Sequence, residues 1–312
     1  MAWRGLHISR EARLRLSDNQ LVVTQDDEDV RLALEDIAWI VVDAPAAMLS
    51  FALIRACMDK GIVLVFTDER HMPSGMALPF HRHFRQAAVA QLQTSLTAPL
   101  AKRLWQAIVM QKIDNQAVAL SLCGRPGSKT LLSASRRVRS GDPANVEARA
   151  ARFYFGRMFR RESSDGSKIG FVRADDGDLR NKMLNYGYAI LRSGVARALV
   201  AFGLLPGLGL MHASQNNAFN LADDLVEPFR PFADIMAQRL MLGRSDFKAD
   251  LTLNDRRSLA SLLLENCLIG TERTTLLNAT ERVADTLVRA MDAKTPALLE
   301  LPRPDPATKP GS

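Results

Sequence analysis

The hydrophobic period changes near residue 80, and this change constrains the fold more than any other feature of the 312 residues. Upstream the pattern is that of strands. Leu14 and Leu16 alternate with Arg13 and Arg15, Ser17-Asp18-Asn19 supplies a turn, and Leu21-Val22-Val23 returns, which predicts a hairpin. The stretches 30–34 and 37–42 predict two more strands, and the apolar run 62–66 between Gly61 and Asp68 a buried one. A helix that starts at Pro45 and ends before Gly61 lies among them. From about residue 85 apolar residues recur at helical spacing through Leu92, Leu96, Leu100, Leu104 and Ile108, with a break expected at Pro99. Helical patterns return over 144–160, 183–202, 213–241, 255–268 and 280–291. This segregation predicts an α+β fold, β-rich over 1–80, with a linker at 81–88 and an α-helical domain over 89–295. Five prolines from Pro296 to Pro310 predict a flexible tail over 296–312.

Several function classes lose their usual marks. No phosphate-binding P-loop, dinucleotide-binding glycine motif or serine-hydrolase elbow occurs. Cys57, Cys123 and Cys267 are odd in number and widely spaced, so they read as free, buried thiols in a reducing cytoplasm. No secretory signal opens the chain, and the most apolar run, 195–211, carries Arg197 and is broken by Gly203, Pro206, Gly207 and Gly209. A cytoplasmic protein without a membrane partner is expected.

Charge points to a polyanion. The chain carries 41 Lys and Arg against 34 Asp and Glu, a net +7. Ten basic residues between 124 and 161, with Arg136, Arg137, Arg139 and Arg149 among them, face only Asp142 and Glu147. Arginine forks suit phosphate oxygens, so these residues, with Arg230 further on, are candidate DNA contacts. Glu147 stands within this basic stretch, in the first turn of a predicted helix. His212 follows a Gly- and Leu-rich bend, and Asp223, Asp224 and Glu227 come one helical stretch later. A helix brings Asp224 and Glu227, three apart, to one face. With Glu147 and His212 they form a candidate oxygen and nitrogen set for Mg²⁺ or Mn²⁺. His7 stands beside the first strand and reads as structural. Tyr186 and Tyr188 offer either base stacking at a duplex end or packing in the core.

The blocks Asn185-Tyr186-Gly187-Tyr188-Ala189-Ile190-Leu191, Gly203-Leu204-Leu205-Pro206 with Gly209 and His212, and the run Leu221-Ala222-Asp223-Asp224-Leu225-Val226-Glu227-Pro228-Phe229-Arg230-Pro231 closely resemble the CRISPR spacer-acquisition integrases, the first Cas protein. Lys112-Ile113-Asp114-Asn115-Gln116 and Glu147-Ala148-Arg149-Ala150-Ala151-Arg152-Phe153-Tyr154-Phe155 look like two further blocks of that family. The match runs in order through nearly the whole chain. Phe153-Tyr154-Phe155-Gly156 and Arg173-Ala174-Asp175-Asp176 look like its type II branch. The family commonly has glycine where Ala148 stands here, a small residue that leaves the neighbouring carboxylate accessible.

This resemblance implies a β-sandwich-like N-terminal domain followed by a mostly α-helical catalytic domain. It implies a metal-dependent DNA endonuclease and integrase that inserts foreign DNA fragments into the CRISPR repeat by 3′-hydroxyl attack on a phosphodiester. Glu147, His212 and Glu227 carry over as catalytic and metal residues for Mg²⁺ or Mn²⁺, with Asp224 as an accessory. Its implied partners are captured duplex DNA and the repeat, a second copy in a homodimer, a dimer of the small second Cas protein bridging two such dimers, and other type II CRISPR proteins. The competing reading is a non-catalytic DNA-binding scaffold of the adaptation complex.

Overall fold

The computed structural model describes residues 2–80, 82–162 and 168–306. The N-terminal region holds β1 (Arg4–Ile8), β2 (Arg13–Ser17), β3 (Gln20–Gln25), β4 (Glu28–Ala33), β5 (Ile37–Val42), β6 (Met48–Leu49), α1 (Phe51–Lys60), β7 (Val63–Thr67) and β8 (Pro73–Ala77). They form two four-stranded sheets in the orders β4-β3-β2-β6 and β1-β5-β7-β8. The β2–β3 and β3–β4 hairpins turn on Asp18-Asn19 and Asp26-Asp27, all four with positive φ. Such turns match the twist of the strands they join, and Asn and Asp tolerate that backbone. The acidic run Asp26-Asp27-Glu28-Asp29 therefore turns the β3–β4 hairpin. Helix α1 starts later than Pro45 suggests, because Met48 and Leu49 extend the edge of β2 and Ser50 provides the cap, accepting from Leu53 N–H at 3.2 Å.

The sheet β1-β5-β7-β8 is apolar on both faces. Ile8, Ile40 and Leu64 meet Leu14, Leu21 and Leu53 from the other sheet and α1. Trp39, Val41, Val63 and Val65 on the opposite face join the core of the helical region. The β module is thus sandwich-like, and its core is continuous with that of the helices. Trp39 donates its indole N–H to the Ala260 carbonyl at 3.1 Å, across the junction. Gly5 makes room for that ring, since a Cβ there would lie 2.0 Å from it.

The helical region comprises α2 (Gln86–Thr94), α3 (Ala98–Leu122), α4 (Ser128–Ser135), α5 (Val146–Met158), the short strands β9 (Arg161–Glu162) and β10 (Lys168–Ile169), α6 (Leu179–Ala201), α7 (Asn220–Val226), α8 (Arg230–Met241), α9 (Leu253–Ala260), β11 (Asn266–Ile269), β12 (Glu272–Thr275), α10 (Leu276–Asp292) and β13 (Pro302–Arg303). The linker expected at 81–88 is shorter than that, since α2 begins at Gln86. Pro99 starts α3 rather than breaking a helix, for a first-turn residue has no intrahelical N–H bond to lose. The stretch 213–241 is not one helix. Residues 213–219 form a loop held by Asn220, whose Nδ2 donates to three backbone carbonyls, and a single 3-10 turn, Glu227–Phe229, separates α7 from α8. The stretch 255–268 ends as strand β11, a short apolar run whose period alone does not separate strand from helix.

The expected flexible tail is packed from 296 to 306. Pro302 and Arg303 pair with Ile269 and Leu268 of β11, and Pro302, Pro304 and Asp305 are buried. Proline is tolerated there because β13 is an edge strand. Residues 307–312 of that tail lie outside the described residues. Cys57 and Cys267 are buried free thiols, and Cys123 is half-buried. Among the described residues no helix is long and apolar enough to cross a membrane.

One buried carboxylate bolts the two regions together. Asp43, just past β5, accepts from His7 Nε2 at 2.9 Å, His71 Nδ1 at 2.8 Å, Thr67 Oγ1 at 3.2 Å and Arg256 Nε of α9 at 2.9 Å. His7 is structural in this sense. Burial opposes ionisation of Asp43, but the bonds from His7, His71 and Arg256 overcome it and hold the carboxyl at about 2, below its ordinary 3.8. A depressed value stabilises the fold above the unfolded value, and that contribution is lost as pH falls through the folded one. Asp43→Asn is expected to cost about 2 kcal/mol at pH 7, and the gap in urea midpoint between wild type and variant should narrow as pH falls from about 4 toward 2. A gap as wide at the acid end as at neutrality would show that the carboxylate charge is not what holds the junction.

Candidate active site

Glu147 owes its position to the start of α5. Asp142, itself at a φ of 46°, accepts the Val146 and Glu147 N–H groups through its two carboxylate oxygens, each at 2.9 Å. Two free donors of the helix end are thereby satisfied, and Glu147 sits where the helix dipole favours negative charge. Glu227 opens the 3-10 turn, and α3 fastens that turn from below. Asn115, fully buried, donates through Nδ2 to the carbonyls of Pro228 at 2.7 Å and Pro302 at 2.8 Å.

Lys112 lies one helical turn before Asn115 and joins the two glutamates. Its ammonium donates to Glu147 Oε1 and approaches Glu227 Oε2 at 2.5 Å. Glu227 Oε2 has no donor other than this ammonium among the described residues. Burial alone discharges a lysine, but Glu227 and Glu147 outweigh it and raise Lys112 above its ordinary value. Burial likewise works against the Glu227 charge, and Lys112 and Arg230 overcome it, so the carboxyl is lowered. Arg230 Nη2 lies 3.2 Å from Glu227 Oε1. The result is two buried or half-buried carboxylates sharing one ammonium, with a guanidinium behind.

His212 is set by Asp224. The buried Asp224 carboxylate accepts the N–H groups of Leu210 at 2.6 Å, Met211 at 3.1 Å and His212 at 3.2 Å, and the His212 ring through Nδ1 at 2.7 Å. The Asp224 carboxylate accepts this bond, so in the neutral ring Nδ1 carries the proton and Nε2 keeps its lone pair. The Asp224 bond also raises the His212 value against the opposing effect of burial. Gly209 permits the tight bend, since a Cβ there would fall 2.2 Å from the His212 carbonyl oxygen and 2.8 Å from Asp224 Oδ2. Trp105 presents a perpendicular ring to His212, centroids 5.9 Å apart.

Asp224 and Glu227 do not act from one face. Asp224 is consumed by the 210–212 bend, Glu227 turns to Lys112, and Asp223 is held aside by Arg192 at 2.7 Å. Glu147 and Glu227 meet across Lys112, and His212 is close enough for its charge to act on Glu227. Among the described residues no three His, Cys, Asp or Glu side chains converge as a ready metal cluster, because Lys112 occupies the space between the glutamates. Sequence reasoning passed over Lys112 as a site residue. Its signal was a lysine within the apolar period of α3, between Ile108 and Ile113.

Among the candidate DNA contacts, Arg136, Arg137, Arg139 and Arg149 are exposed, and among the described residues none of them is ion-paired. Arg230 departs from that group: its guanidinium is committed to Glu227 and lies 4.9 Å from the Tyr188 ring centroid. Tyr186 and Tyr188 are both core residues, the former fully buried, so neither has a face free for a base.

The sequence profile described as CRISPR associated protein Cas1 matches residues 6–259. The chain is 37% identical over 303 residues to the CRISPR-associated endonuclease Cas1 of Neisseria meningitidis, covering 97% of this chain and 96% of that one. It is 29% identical over 261 residues to a CRISPR-associated endonuclease Cas1 of Saccharolobus solfataricus, covering 81% and 80%. Among solved structures, a casposase bound to integration product superposes with a TM-score of 0.75 at 17% identity, covering 94% of this chain and 92% of that one. A Cas1 protein from Thermotoga maritima superposes with a TM-score of 0.67 at 14% identity, covering 93% and 97%. With a helical region that carries Glu147, His212 and Glu227 behind a sandwich-like β module, the chain belongs to the CRISPR-associated Cas1 family.

Proposed function

We propose that this protein is a divalent-metal-dependent DNA endonuclease and integrase of CRISPR adaptation. The observation that carries this reading is the pair Glu147 and Glu227 sharing one cation, the Lys112 ammonium, beside a histidine whose Nε2 is free. Two hard carboxylates that gather one cation suit a divalent ion in its place once the Lys112 ammonium moves aside, and Glu227 Oε2 has no other hydrogen-bond donor among the described residues. Glu147, Glu227 and His212 would hold Mg²⁺ or Mn²⁺, both of which take carboxylates and accept imidazole. When bound, such an ion supplies charge stabilisation at phosphoryl and leaving oxygens. The relatives named endonucleases and the casposase bound to its integration product support the reaction class.

In the reaction a DNA 3′-oxygen forms a bond to phosphorus as its hydroxyl gives up a proton, and the existing bond from phosphorus to another 3′-oxygen breaks, that oxygen taking up a proton to leave as a free 3′-hydroxyl. Water in place of that hydroxyl gives hydrolysis at the same site. The protein's own part is positional. Asp224 fixes the His212 ring and its tautomer, Asn115 and Arg230 hold Glu227, and Asp142 holds Glu147. Arg136, Arg137 and Arg139, in the segment just after α4, and Arg149, on α5, would take the DNA backbone. Two-ended insertion requires two such sites at a fixed separation, which one chain does not supply. A homodimer, with pairs of dimers bridged by a dimer of the small second Cas protein, meets that need, and other type II CRISPR proteins would act with it. A solved complex whose name includes both Cas1 and Cas2 has a chain of which about a third, 36%, matches this fold.

A labelled duplex with free 3′-hydroxyls, incubated with a supercoiled repeat plasmid and the small partner, should enter the plasmid with Mg²⁺ or Mn²⁺ and not with EDTA. His212→Ala and Glu147→Ala should each reduce transfer about 100-fold or more while keeping the fold and DNA binding. Tight, salt-sensitive DNA binding by a wild type that transfers nothing would favour the scaffold reading. Replacing Arg136, Arg137, Arg139 and Arg149 together by glutamine should lower the slope of log K against log salt by about 3 to 4. An unchanged slope would place the DNA elsewhere.

A further inference from the structure

Glu147 and Glu227 belong to two elements, α5 and the turn leading into α8, that both rest on α3. Seven residues on from each, about two helical turns or 10 Å, stand Tyr154 and Asp234. Tyr154 donates its hydroxyl to Asp234 Oδ2 at 2.8 Å, and Tyr188 of α6 donates to Asp234 Oδ1 at 2.5 Å. One turn further, Gln238 Nε2 donates to the Met158 carbonyl. The two elements are therefore joined by three rungs, at 147 and 227 through Lys112, at 154 and 234, and at 158 and 238.

The middle rung is unusual in its cost. Asp234 and Tyr154 are buried, and Asp234 has no lysine or arginine within ion-pair distance among the described residues. Burial pushes its carboxyl up to about 6 although both tyrosines, with Arg173 and Arg230, lower it. A buried carboxylate without a close cation contributes little net stability, and an apolar pair of the same volume would fill the space more favourably. What it does supply is direction: a hydrogen bond between α5, the helix of Glu147, and α8, the helix that the turn of Glu227 leads into. The first rung cannot supply that by itself, because a lysine side chain is long and rotatable.

We infer that the Tyr154–Asp234 hydrogen bond is a positioning device that sets the separation of Glu147 and Glu227, with Tyr188 steadying Asp234 from α6. Neither residue touches DNA. The inference rests on the proposed metal role of the two glutamates, and its test separates the two. Mn²⁺ binding to the whole protein without DNA is followed by the loss of the free-ion EPR signal, for wild type, Glu147→Ala, Tyr154→Phe and Tyr188→Phe. The expected result is wild-type binding that Glu147→Ala removes and that Tyr154→Phe weakens about 10-fold. Tyr188→Phe, which keeps both its ring beneath Arg230 and the Tyr154 bond, should stay within about 2-fold of wild type by the same reasoning.

A purely structural role would make the loss of affinity follow the loss of melting temperature in the two tyrosine variants alike, and that pattern would overturn the inference. Wild-type affinity in Tyr154→Phe would overturn it too and leave the metal reading standing. Absence of Glu147-dependent Mn²⁺ binding in wild type would remove both. Should Tyr154→Phe not fold, Asp234→Asn keeps the shape, sheds the buried charge and weakens the bond. It should lower Mn²⁺ affinity severalfold, and an unchanged affinity would again refute the role.

Discussion

A buried ammonium between two carboxylates governs how the helices of this protein meet. Glu227 is almost fully enclosed, and an enclosed carboxylate without a partner would cost several kcal/mol, about 3 to 5 when such a pair is broken. Lys112 is the partner, and it stands on α3, the long helix against which α5 and α8 pack. Those two elements are thus drawn to α3 by an electrostatic requirement, while the Tyr154–Asp234 hydrogen bond joins them to each other. Neighbouring contacts serve the same end. Asn115 fastens the turn of Glu227, Asp142 fixes the helix start that carries Glu147, and Arg230 closes the remaining face of Glu227.

The β module is not an appendage to this arrangement. Its central sheet is buried on both faces, and Trp39 and Asp43 carry hydrogen bonds into α9 and its C-terminal end. A parallel arrangement of β1, β5 and β7 requires such double coverage, one face by the second sheet and α1, the other by helices. Movement of the β module as a free body would expose that apolar face, so displacement of one region is transmitted to the other through α9.

Legibility in the sequence followed the range of the interactions involved. The β2–β3 hairpin was readable because Asp18-Asn19 are turn residues set between alternating strands, a purely local signal, whereas the acidic run at Asp26-Asp27 marked a solvated loop without showing that it turns a second hairpin. Helices α3 and α6 were readable from their period. Strand β11 was not, since four residues of an apolar run fit either period until β12 and β13 pair with them. Helix α4, eight residues with a weak pattern, was hidden within the basic stretch. Five prolines suggested an unpacked tail, yet an edge strand accepts proline. Glu147, His212, Glu227 and Asp224 stood out through resemblance to a family rather than through spacing. Neither the sharing of Lys112 by the glutamates nor the seating of Arg230 over the Tyr188 ring was visible, because both depend on contacts between segments more than thirty residues apart.

The double role of Asn115 has a temporal side. One amide group grips Pro228, beside Glu227, and Pro302, in the final strand. While the chain is being synthesised, the helices can collapse on α3 well before residue 302 emerges. Until β13 docks against β11, one of the two acceptors of Asn115 is missing and the Glu227 turn is tethered on one side only. The Glu227 turn therefore gains its full set of contacts only once β13 is in place.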